Sequence, residues 1–296
     1  MRRLIAGLLS EGLKRRIKQS NFYTTKTARG LALTSKRIDI CAAQFAQLLH
    51  LSKYGSLEGK TCLEIGAGWV LTHALVCYLL GARRVIATDV VPCARPEMLT
   101  LALKGAIASI PRDLLAPFAD HADIRARYDK LLAVPRFSFE RLEEFGIEYH
   151  SPVDLAAEQL PTPVDFVYSN SVLEHVPHDD ARALLSNLVG GLNPGGAMIH
   201  CIHLEDHKNT VNEPFKFLAI AGAQYSRAVE TDRGNRIRCS EWREMFGELA
   251  GTNTELLYRY SRLDKPLPEA IVPGIVCVDE ADLRTSHLGV YTRKEA

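Results

Sequence analysis

The chain has 296 residues, of which 47% are hydrophobic and 24% are charged, as in a globular protein with a full core. This composition excludes an intrinsically disordered chain, a collagen-like repeat and a coiled coil. Lys and Arg number 36 and Asp and Glu number 35, so the net charge of +1 excludes a whole-molecule field that attracts polyanions. Residues 1–37 depart from this balance, because they carry ten basic residues and one acid and leave a net charge of −8 to the rest.

The first twenty residues have the pattern of a basic amphipathic helix. Such a helix lies on an anionic membrane surface or an acidic partner, or it packs on the chain itself as a lid. The acidic remainder of the chain favours the lid, and we predict an N-terminal helical extension over residues 1–55. The apolar residues that recur at helical spacing are Leu4, Leu8, Leu9, Leu13 and Ile17.

The sequence contains no pattern for crossing a membrane. Its longest apolar run, residues 74–80, is far shorter than the roughly 20 residues that a spanning helix needs. The apolar stretch after Arg3 is similar to a signal peptide, but the charged segment from Glu11 to Lys18 and the missing cleavage site argue against secretion. Seven cysteines with no C-x-x-C pair are typical of buried thiols in a reducing compartment. These patterns predict a cytoplasmic protein.

Short hydrophobic runs alternate with helical patterns along the rest of the chain. Strands separated by helices predict an α/β fold, with a doubly wound, mostly parallel, seven-stranded sheet that ends in a hairpin strand. The predicted strands cover residues 60–65, 85–88, 147–150, 164–168, 197–202, 255–260 and 288–292.

Helix signals lie between these strands. One helix is predicted over 38–54, and the apolar helix after the first strand ends at Leu80 because Gly81 follows it. The later helices are one that begins with Asp179 or Asp180 as its cap and ends at the Asn193–Gly196 turn, and one over 240–249.

A long stretch separates the second and third predicted strands. Helical patterns over 97–110 and 113–132 are interrupted by five prolines between residues 90 and 145. A connection of this length exceeds an ordinary crossover between parallel strands. We therefore predict a helical insertion at about 92–145, after the second strand.

A glycine turn follows the first predicted strand. Gly66 and Gly68 let the backbone turn sharply and come close to a ligand, and the helix that follows offers unpaired N–H groups. Asp89 closes the second strand, where a carboxylate can accept hydrogen bonds from both hydroxyls of a ribose. The pattern predicts a nucleoside site; the alternatives are a tight turn without a ligand and, for Asp89, a helix cap.

Two residues distinguish among nucleoside ligands. A dinucleotide site takes a third glycine in its fingerprint, and Leu71 occupies that position. Glu64 places a negative charge two residues before the first glycine. A carboxylate there is poorly matched to a diphosphate and well matched to an ammonium or a sulfonium, so a nicotinamide-dependent oxidoreductase is disfavoured.

Four motifs stand in order between residues 60 and 203. They are Leu63–Gly68 (LEIGAG), Val85–Asp89 (VIATD), Val164–Val176 (VDFVYSNSVLEHV) and Leu192–Gly196 (LNPGG). In this order and spacing the sequence resembles the class I S-adenosylmethionine-dependent methyltransferases of the small-molecule type. The resemblance implies a Rossmann-like sheet, S-adenosylmethionine as the cofactor and S-adenosylhomocysteine as the product, with residues 56–296 as the methyltransferase domain.

The resemblance also implies where the cofactor lies. The methionine part is expected at the glycine turn, the ribose at the end of the second strand, the adenine after the third strand and the transferable methyl group after the fourth. The corresponding residues are, in that order, Glu64, Gly66, Ala67 and Gly68; Asp89 and Val90; Asp154; and Ser169 and Asn170.

Methyl transfer to a hydroxyl needs a base near the ends of the strands, because the nucleophile must lose its proton. His203 and His207 follow the fifth strand and are the first candidates, with Asp206 to orient either imidazole. His175, after the fourth strand, is a further candidate, and its alternative role is to shape the pocket. Glu174 and His200 are candidates of lower rank.

The same segment also suggests a metal site, since the imidazoles and the carboxylate of His200, His203, Asp206 and His207 suit zinc or iron. Side chains alternate along a strand, however, so His200 and His203 should point to opposite faces. No metal is therefore expected from this pattern.

The fourth-strand motif bears on the acceptor. Ser169–Ser171 replaces the Asp/Asn-Pro-Pro-aromatic signature that resembling enzymes use on amines of nucleobases, and no nucleic-acid partner is expected. We predict methylation of an oxygen on a small molecule, a sugar or a secondary metabolite, with residues 204–240 forming part of its pocket. A cofactor-binding sensor or partner subunit without transferase activity is the alternative.

Overall fold

The computed structural model describes residues 37–105, 113–160 and 162–296, together with Tyr23, Thr25, Lys26, Arg29 and Gly30. The predicted amphipathic helix over residues 1–20 lies outside the described residues. The end of the predicted helix over 97–110 does so too. The N-terminal extension and its role as a lid or an anchor therefore stay predictions.

The described part of the chain contains one seven-stranded sheet in the order β3-β2-β1-β4-β5-β7-β6. The pairs β1 with β4, β4 with β5 and β2 with β3 are parallel, whereas β7 is antiparallel to both β5 and β6. The prediction of a mostly parallel sheet with a terminal hairpin strand is confirmed. The strands are β1 (Thr61–Ile65), β2 (Arg84–Thr88), β3 (Ile147–His150), β4 (Val164–Asn170), β5 (Leu192–His203), β6 (Thr252–Ser261) and β7 (Thr285–Lys294).

Helices connect these strands, and α3, α4 and α5 below lie in the stretch predicted as a helical insertion. Short 3-10 turns occur at Pro96–Met98, Leu173–His175, Lys216–Ala219 and Gly222–Gln224. Among the described residues, the α-helices with assigned bounds are α1 (Arg37–Ser52), α2 (Thr72–Leu79), α3 (Leu99–Gly105), α4 (His121–Leu132), α5 (Phe139–Glu143), α6 (His178–Gly191), α7 (Arg227–Arg233), α8 (Cys239–Gly247) and α9 (Glu280–Leu283).

The chain divides into two compact units. The first unit is made of Met1–Gln47, Gly55–Gly59 and Ala67–Pro152. The second unit is made of Leu48–Tyr54, Lys60–Gly66 and Val153–Ala296.

In the first unit, helix α2 determines how β2 begins. Seven of its eight residues are buried, as expected for an apolar helix in a core. The helix ends where predicted, because Gly81 adopts φ +91 and its N–H donates to the carbonyl of Tyr78. Ala82 N–H donates to the carbonyl of Cys77 in the same turn. The chain therefore leaves α2 directly into β2, which ends one residue before Asp89.

In the second unit, Arg238 connects the end of β5 to the start of β7. Its guanidinium is fully buried and donates to the carbonyls of Leu204 at 2.8 Å, Leu283 at 3.0 Å and Thr285 at 2.6 Å. Burial lowers the pKa of Arg238 to about 10. These contacts lie at the end of the β5–β7 pair where His203 of β5 is opposite His287 of β7.

The helical pattern predicted over 113–132 is interrupted at Pro117, as the prolines in this stretch indicated. Residues 116–119 form a turn and a bend around Pro117, and α4 begins at His121. Asp120 caps α4, because its carboxylate accepts hydrogen bonds from the backbone N–H groups of Ala122 and Asp123.

Two predicted details of the helix before β5 are wrong. Asp179 and Asp180 lie in the first turn of α6 rather than at its cap, and the N–H of His178 donates to Glu230 Oε1 instead. The Asn193–Gly196 segment does not end α6, because it already belongs to β5. There Asn193 Nδ2 donates to Asp165 Oδ1 at 2.8 Å, which holds the segment at β4.

Candidate functional site

The turn after β1 is hydrogen bonded to the end of β2. Ala67 N–H donates to the carbonyl of Thr88 at 2.9 Å, and Gly68 N–H donates to Asp89 Oδ2 at 3.0 Å. The second oxygen of Asp89, Oδ1, accepts from Val91 N–H at 3.0 Å. The carboxylate is therefore held in one orientation by backbone groups from both sides of it.

Cys93 adds a weak contact to the same carboxylate. Its Sγ donates to Asp89 Oδ2 at 3.7 Å. Burial, reinforced by the charge of Asp89, raises the pKa of Cys93 to about 12, so the thiol stays protonated at neutral pH. An ionised carboxylate has about four acceptor positions, and the weak thiol contact can give way to a stronger donor. Asp89 can thus accept from two hydroxyls of a ligand, and Val90 beside it is 60% exposed.

In the second unit, Gly66 lies against the loop after β4. Its φ is +66, and a Cβ at this position would lie 2.4 Å from Val172 Cγ2. No other residue type therefore fits without displacing backbone or side chain. Glu64, two residues earlier on β1, is 3% exposed, so its carboxylate is buried.

Three residues that the resemblance assigns to the cofactor have contacts of their own. Ser169 is fully buried, and its Oγ lies 2.7 Å from His200 Nδ1. Asn170 ends β4 and is half-buried. Asp154 is exposed and its Oδ1 accepts from Ala156 N–H at 3.0 Å, which closes a local turn. The roles of these three residues at the methyl group and the adenine stay predictions.

The second unit brings four imidazoles and two buried carboxylates together, and we call this group the histidine cluster. The ring centroids of His175 and His207 are 4.3 Å apart, those of His203 and His207 are 4.6 Å apart, and those of His203 and His287 are 4.2 Å apart. The cluster contains all three histidines predicted as catalytic. Its members are His175, His203, His207 and His287 with Glu174 and Glu205.

One half of the cluster is organised by Glu205, which is 3% exposed. His203 Nε2 lies 2.7 Å from Glu205 Oε2, and Arg262 donates to Glu205 Oε1 at 3.1 Å. The His287 ring stacks on His203 at an interplanar angle of 10°. Burial lowers the pKa of His287 to about 4, so this imidazole is neutral at pH 7.

The other half is formed by Glu174, His175 and His207. Glu174 is 1% exposed, and its Oε1 lies 3.3 Å from His207 Nε2. His175 Nδ1 lies 2.7 Å from the carbonyl of Thr231, to which it donates. Burial lowers the pKa of His175, which favours its neutral form.

The predicted role of Asp206 is wrong in one respect. Its fully buried carboxylate forms an ion pair with Arg233 and accepts from Lys208 N–H at 3.0 Å, rather than orienting an imidazole. Glu205 takes the expected position beside His203. The reason is the pairing with Arg233, which gives the Asp206 carboxylate a partner other than an imidazole.

Sequence reasoning missed Glu205 and His287. Glu205 belongs to the predicted pocket segment but was passed over for its neighbour Asp206. His287 lies 84 positions after His203 in the chain and reaches it through the β5–β7 register. His287 could have been found only by predicting this antiparallel register.

The buried His200 predicts a pH dependence of stability. Burial lowers the pKa of His200 from 6.5 to about 3. Between these values the unfolded chain binds a proton that the folded chain does not, so the free energy of unfolding falls as the pH falls. We expect a shallower loss of stability on acidification in His200→Gln, measured by urea unfolding at about pH 7 and about pH 5. The exposed His121→Gln should keep the parent slope, and a parent-like slope in His200→Gln would contradict the assignment.

No protein-family model matches the sequence, and no curated protein matches it. Among the described residues, every helix is too short or too polar to cross a bilayer.

Several solved structures are similar to the chain. Magnesium protoporphyrin IX methyltransferase (ChlM) from Synechocystis PCC 6803 with bound SAH is 15% identical, with 96% of this chain and 99% of that chain covered and a TM-score of 0.48. N-methyltransferase NodS from Bradyrhizobium japonicum WM9 in complex with S-adenosyl-L-homocysteine is 14% identical, with 92% and 99% covered and a TM-score of 0.43. An S-adenosylmethionine-dependent methyltransferase from Mesorhizobium loti is 18% identical, with 84% and 98% covered and a TM-score of 0.44.

Proposed function

We propose that this chain is a class I S-adenosylmethionine-dependent methyltransferase that acts on an oxygen atom of a small molecule. The cofactor supplies an electrophilic methyl group on a sulfonium. The chain must then hold the cofactor, align the acceptor oxygen and take up the acceptor's proton. Each of these tasks has residues that suit it.

The observation that carries the proposal is the geometry of Asp89. Two backbone N–H groups fix its carboxylate at the turn after β1, as an acceptor for a pair of vicinal hydroxyls. Hydrogen bonds to a charged acceptor contribute roughly 1.5–3 kcal/mol each, so a ribose gains more here than at a neutral group. The turn and the carboxylate both come from motifs that resemble the superfamily.

Glu64 and Gly66 fit the methionine part of the cofactor. The buried carboxylate of Glu64 is suited to an ammonium or sulfonium, since a positive ligand compensates the desolvated charge. Gly66 keeps free the space that a Cβ would fill against Val172. Asn170, Asp154 and Val90 remain proposed cofactor contacts on the strength of the resemblance alone.

His203 is the best-placed base. Its Nε2–H donates to Glu205, because an ionised carboxylate can only accept, and this leaves the lone pair on Nδ1 to take a proton. Arg262 donates to the other oxygen of Glu205, which holds this carboxylate at a second point. A base with an orienting carboxylate is the arrangement that general-base catalysis on a hydroxyl needs.

Oxygen on a small molecule is proposed from two features. The Ser169–Ser171 segment lacks the signature used on nucleobase amines. The imidazoles supply a base, which a hydroxyl acceptor needs more than an amine acceptor does. Residues 204–240 include Arg233, whose carbonyl accepts from His207 N–H at 3.1 Å, and Arg236, which lies over the Tyr225 ring at 3.6 Å. A sugar or secondary metabolite with hydroxyl groups is the proposed acceptor class.

Transfer of a labelled methyl group tests this function. The chain is incubated with S-adenosylmethionine that carries a tritiated methyl group and with panels of hydroxylated and of amine-bearing small molecules. We expect label in a hydroxylated product. The alternative, a silent cofactor-binding protein, predicts retained cofactor without transfer to any panel member, and transfer to amines alone would contradict an oxygen target.

The base assignment gives a kinetic prediction. With the acceptor found in that assay, His203→Gln should lower kcat by about 100-fold or more and leave cofactor affinity unchanged, because the base acts only in the chemical step. His150→Gln, whose side chain is 47% exposed on β3, should behave like the parent. Parent-like turnover in His203→Gln would remove His203 from the mechanism.

A further inference from the structure

One half of the histidine cluster contains a buried carboxylate, Glu174, whose one ion-pair contact among the described residues is to His207. Glu174 is 1% exposed, and neither of its carboxylate oxygens has a hydrogen-bond partner within the described part of the chain. No Lys or Arg among the described residues forms an ion pair with it. A buried carboxylate left in this state is costly, since desolvation penalises the ionised form.

The side chains beside Glu174 are imidazoles, whose ring nitrogens can bind a metal ion. His207 Nε2 is buried, lies 3.3 Å from Glu174 Oε1 and also has no hydrogen-bond partner among the described residues. His175 donates from Nδ1 to the Thr231 carbonyl, so its lone pair is on Nε2. One ligand atom from each of Glu174, His175 and His207 lies within 4.8 Å of the others.

We propose that Glu174, His175 and His207 bind a divalent transition-metal ion. Two imidazoles and one carboxylate are the ligand set of zinc, iron and manganese sites that keep open positions. An ion with bonds of about 2.1 Å holds tetrahedral ligands about 3.4 Å apart. The Glu174–His207 separation of 3.3 Å already has this value. Two nitrogen ligands disfavour magnesium and calcium, which take oxygen.

The surroundings hold these ligands in place. Asn235 Nδ2 donates to the carbonyls of Leu173 at 2.8 Å and Val176 at 2.9 Å, and Asn235 N–H donates to the carbonyl of Glu174 at 2.7 Å. The turn that carries Glu174 and His175 is thus clamped at three points. The Thr231 carbonyl fixes the tautomer of His175, as an outer hydrogen bond does for most metal-binding histidines.

The second half of the cluster, around Glu205, has no such unpartnered carboxylate. Glu205 is already paired with His203 and Arg262, so it has no unsatisfied charge to attract an ion. The proposed ion also differs from the site considered from the sequence, where His200 is bonded to Ser169 and Asp206 to Arg233. The ligand set depends on the fold, because the turn after β4 and the loop after β5 lie side by side in this unit.

Metal titration of the untagged full chain tests the proposal without any acceptor or cofactor. Calorimetry with Zn²⁺, and absorption spectroscopy with Co²⁺, should show one ion bound per chain. Glu174→Gln and His207→Gln should each weaken binding by about tenfold or more, as loss of a ligand does. Glu269→Gln, an exposed carboxylate elsewhere in the same unit, should bind like the parent.

Thermal unfolding separates a lost ligand from a lost fold. Without metal, Glu174→Gln should be as stable as the parent or more stable, because it removes a buried carboxylate that no Lys or Arg among the described residues pairs with. Added Zn²⁺ should raise the Tm of the parent and not that of Glu174→Gln. Absence of binding by the parent, or parent-like binding by Glu174→Gln, would overturn the proposal. Loss of the ion in His287→Gln but not in His207→Gln would also overturn it, since the ion would then lie at Glu205.

Discussion

Replacing Asp89 by alanine is expected to weaken S-adenosylmethionine binding by about tenfold to more than a hundredfold. The range follows from losing one or two hydrogen bonds to a charged acceptor, at roughly 1.5–3 kcal/mol each. Equilibrium dialysis with labelled cofactor measures the effect. The variant should bind S-adenosylhomocysteine more weakly by a similar factor, because both molecules carry the same ribose.

The controls for this prediction separate a ribose contact from a folding effect. Asp89→Ala also leaves the N–H groups of Gly68 and Val91 without their acceptor, so its Tm without ligand is measured first. Asp129→Asn, an exposed acid on α4, should bind the cofactor like the parent. Unchanged affinity in a folded Asp89→Ala would remove the ribose assignment.

The second large effect is expected at Gly66. Alanine there must adopt φ +66, which costs about 1–2 kcal/mol, and its Cβ would overlap Val172 Cγ2 at 2.4 Å. Relieving that overlap shifts side chain or backbone at a further cost of about 1–3 kcal/mol. We expect Gly66→Ala to lower the free energy of unfolding by about 2–5 kcal/mol and to weaken cofactor binding.

A double-mutant cycle tests the overlap itself. Val172→Ala opens the space, so Gly66→Ala should cost about 1–2 kcal/mol less in that background than in the parent. The remaining cost reports the positive φ together with the Cβ of residue 172, which lies 3.3 Å from the added Cβ. Gly190 lies on the exposed side of α6, and a Cβ added there has no atom within 4 Å, so Gly190→Ala should instead stabilise the chain slightly. Additive costs for Gly66→Ala and Val172→Ala would contradict the contact.

The predictable parts of the fold are those that depend on neighbouring residues. The segment from β1 through α2 to β2 is predictable from the sequence, because two glycines, one apolar helix and Asp89 lie within 30 residues of one another. The β3 strand was predicted at its observed bounds of Ile147–His150. Boundaries failed where a distant group decides them, as Glu230 does for α6 and Asp165 for the segment that begins β5.

The candidate site divides in the same way. Asp89 and Gly66 were predictable from spacing alone, whereas Ser169 faces the buried His200 that the β4–β5 register places beside it. His175, His203 and His207 are predictable individually, but their grouping depends on His287 from β7, which the sequence does not reveal, and on buried Glu174. Burial and missing hydrogen bonds are properties of packing, so the sequence cannot separate the proposed metal ligands from ordinary loop histidines.

The central claim, that this chain binds S-adenosylmethionine for methyl transfer, is tested most directly by calorimetric titration of the full chain with S-adenosylhomocysteine. The account predicts saturable binding at one site per chain, competed by S-adenosylmethionine and unaffected by excess NAD. Absence of binding, or binding that NAD displaces, would contradict it.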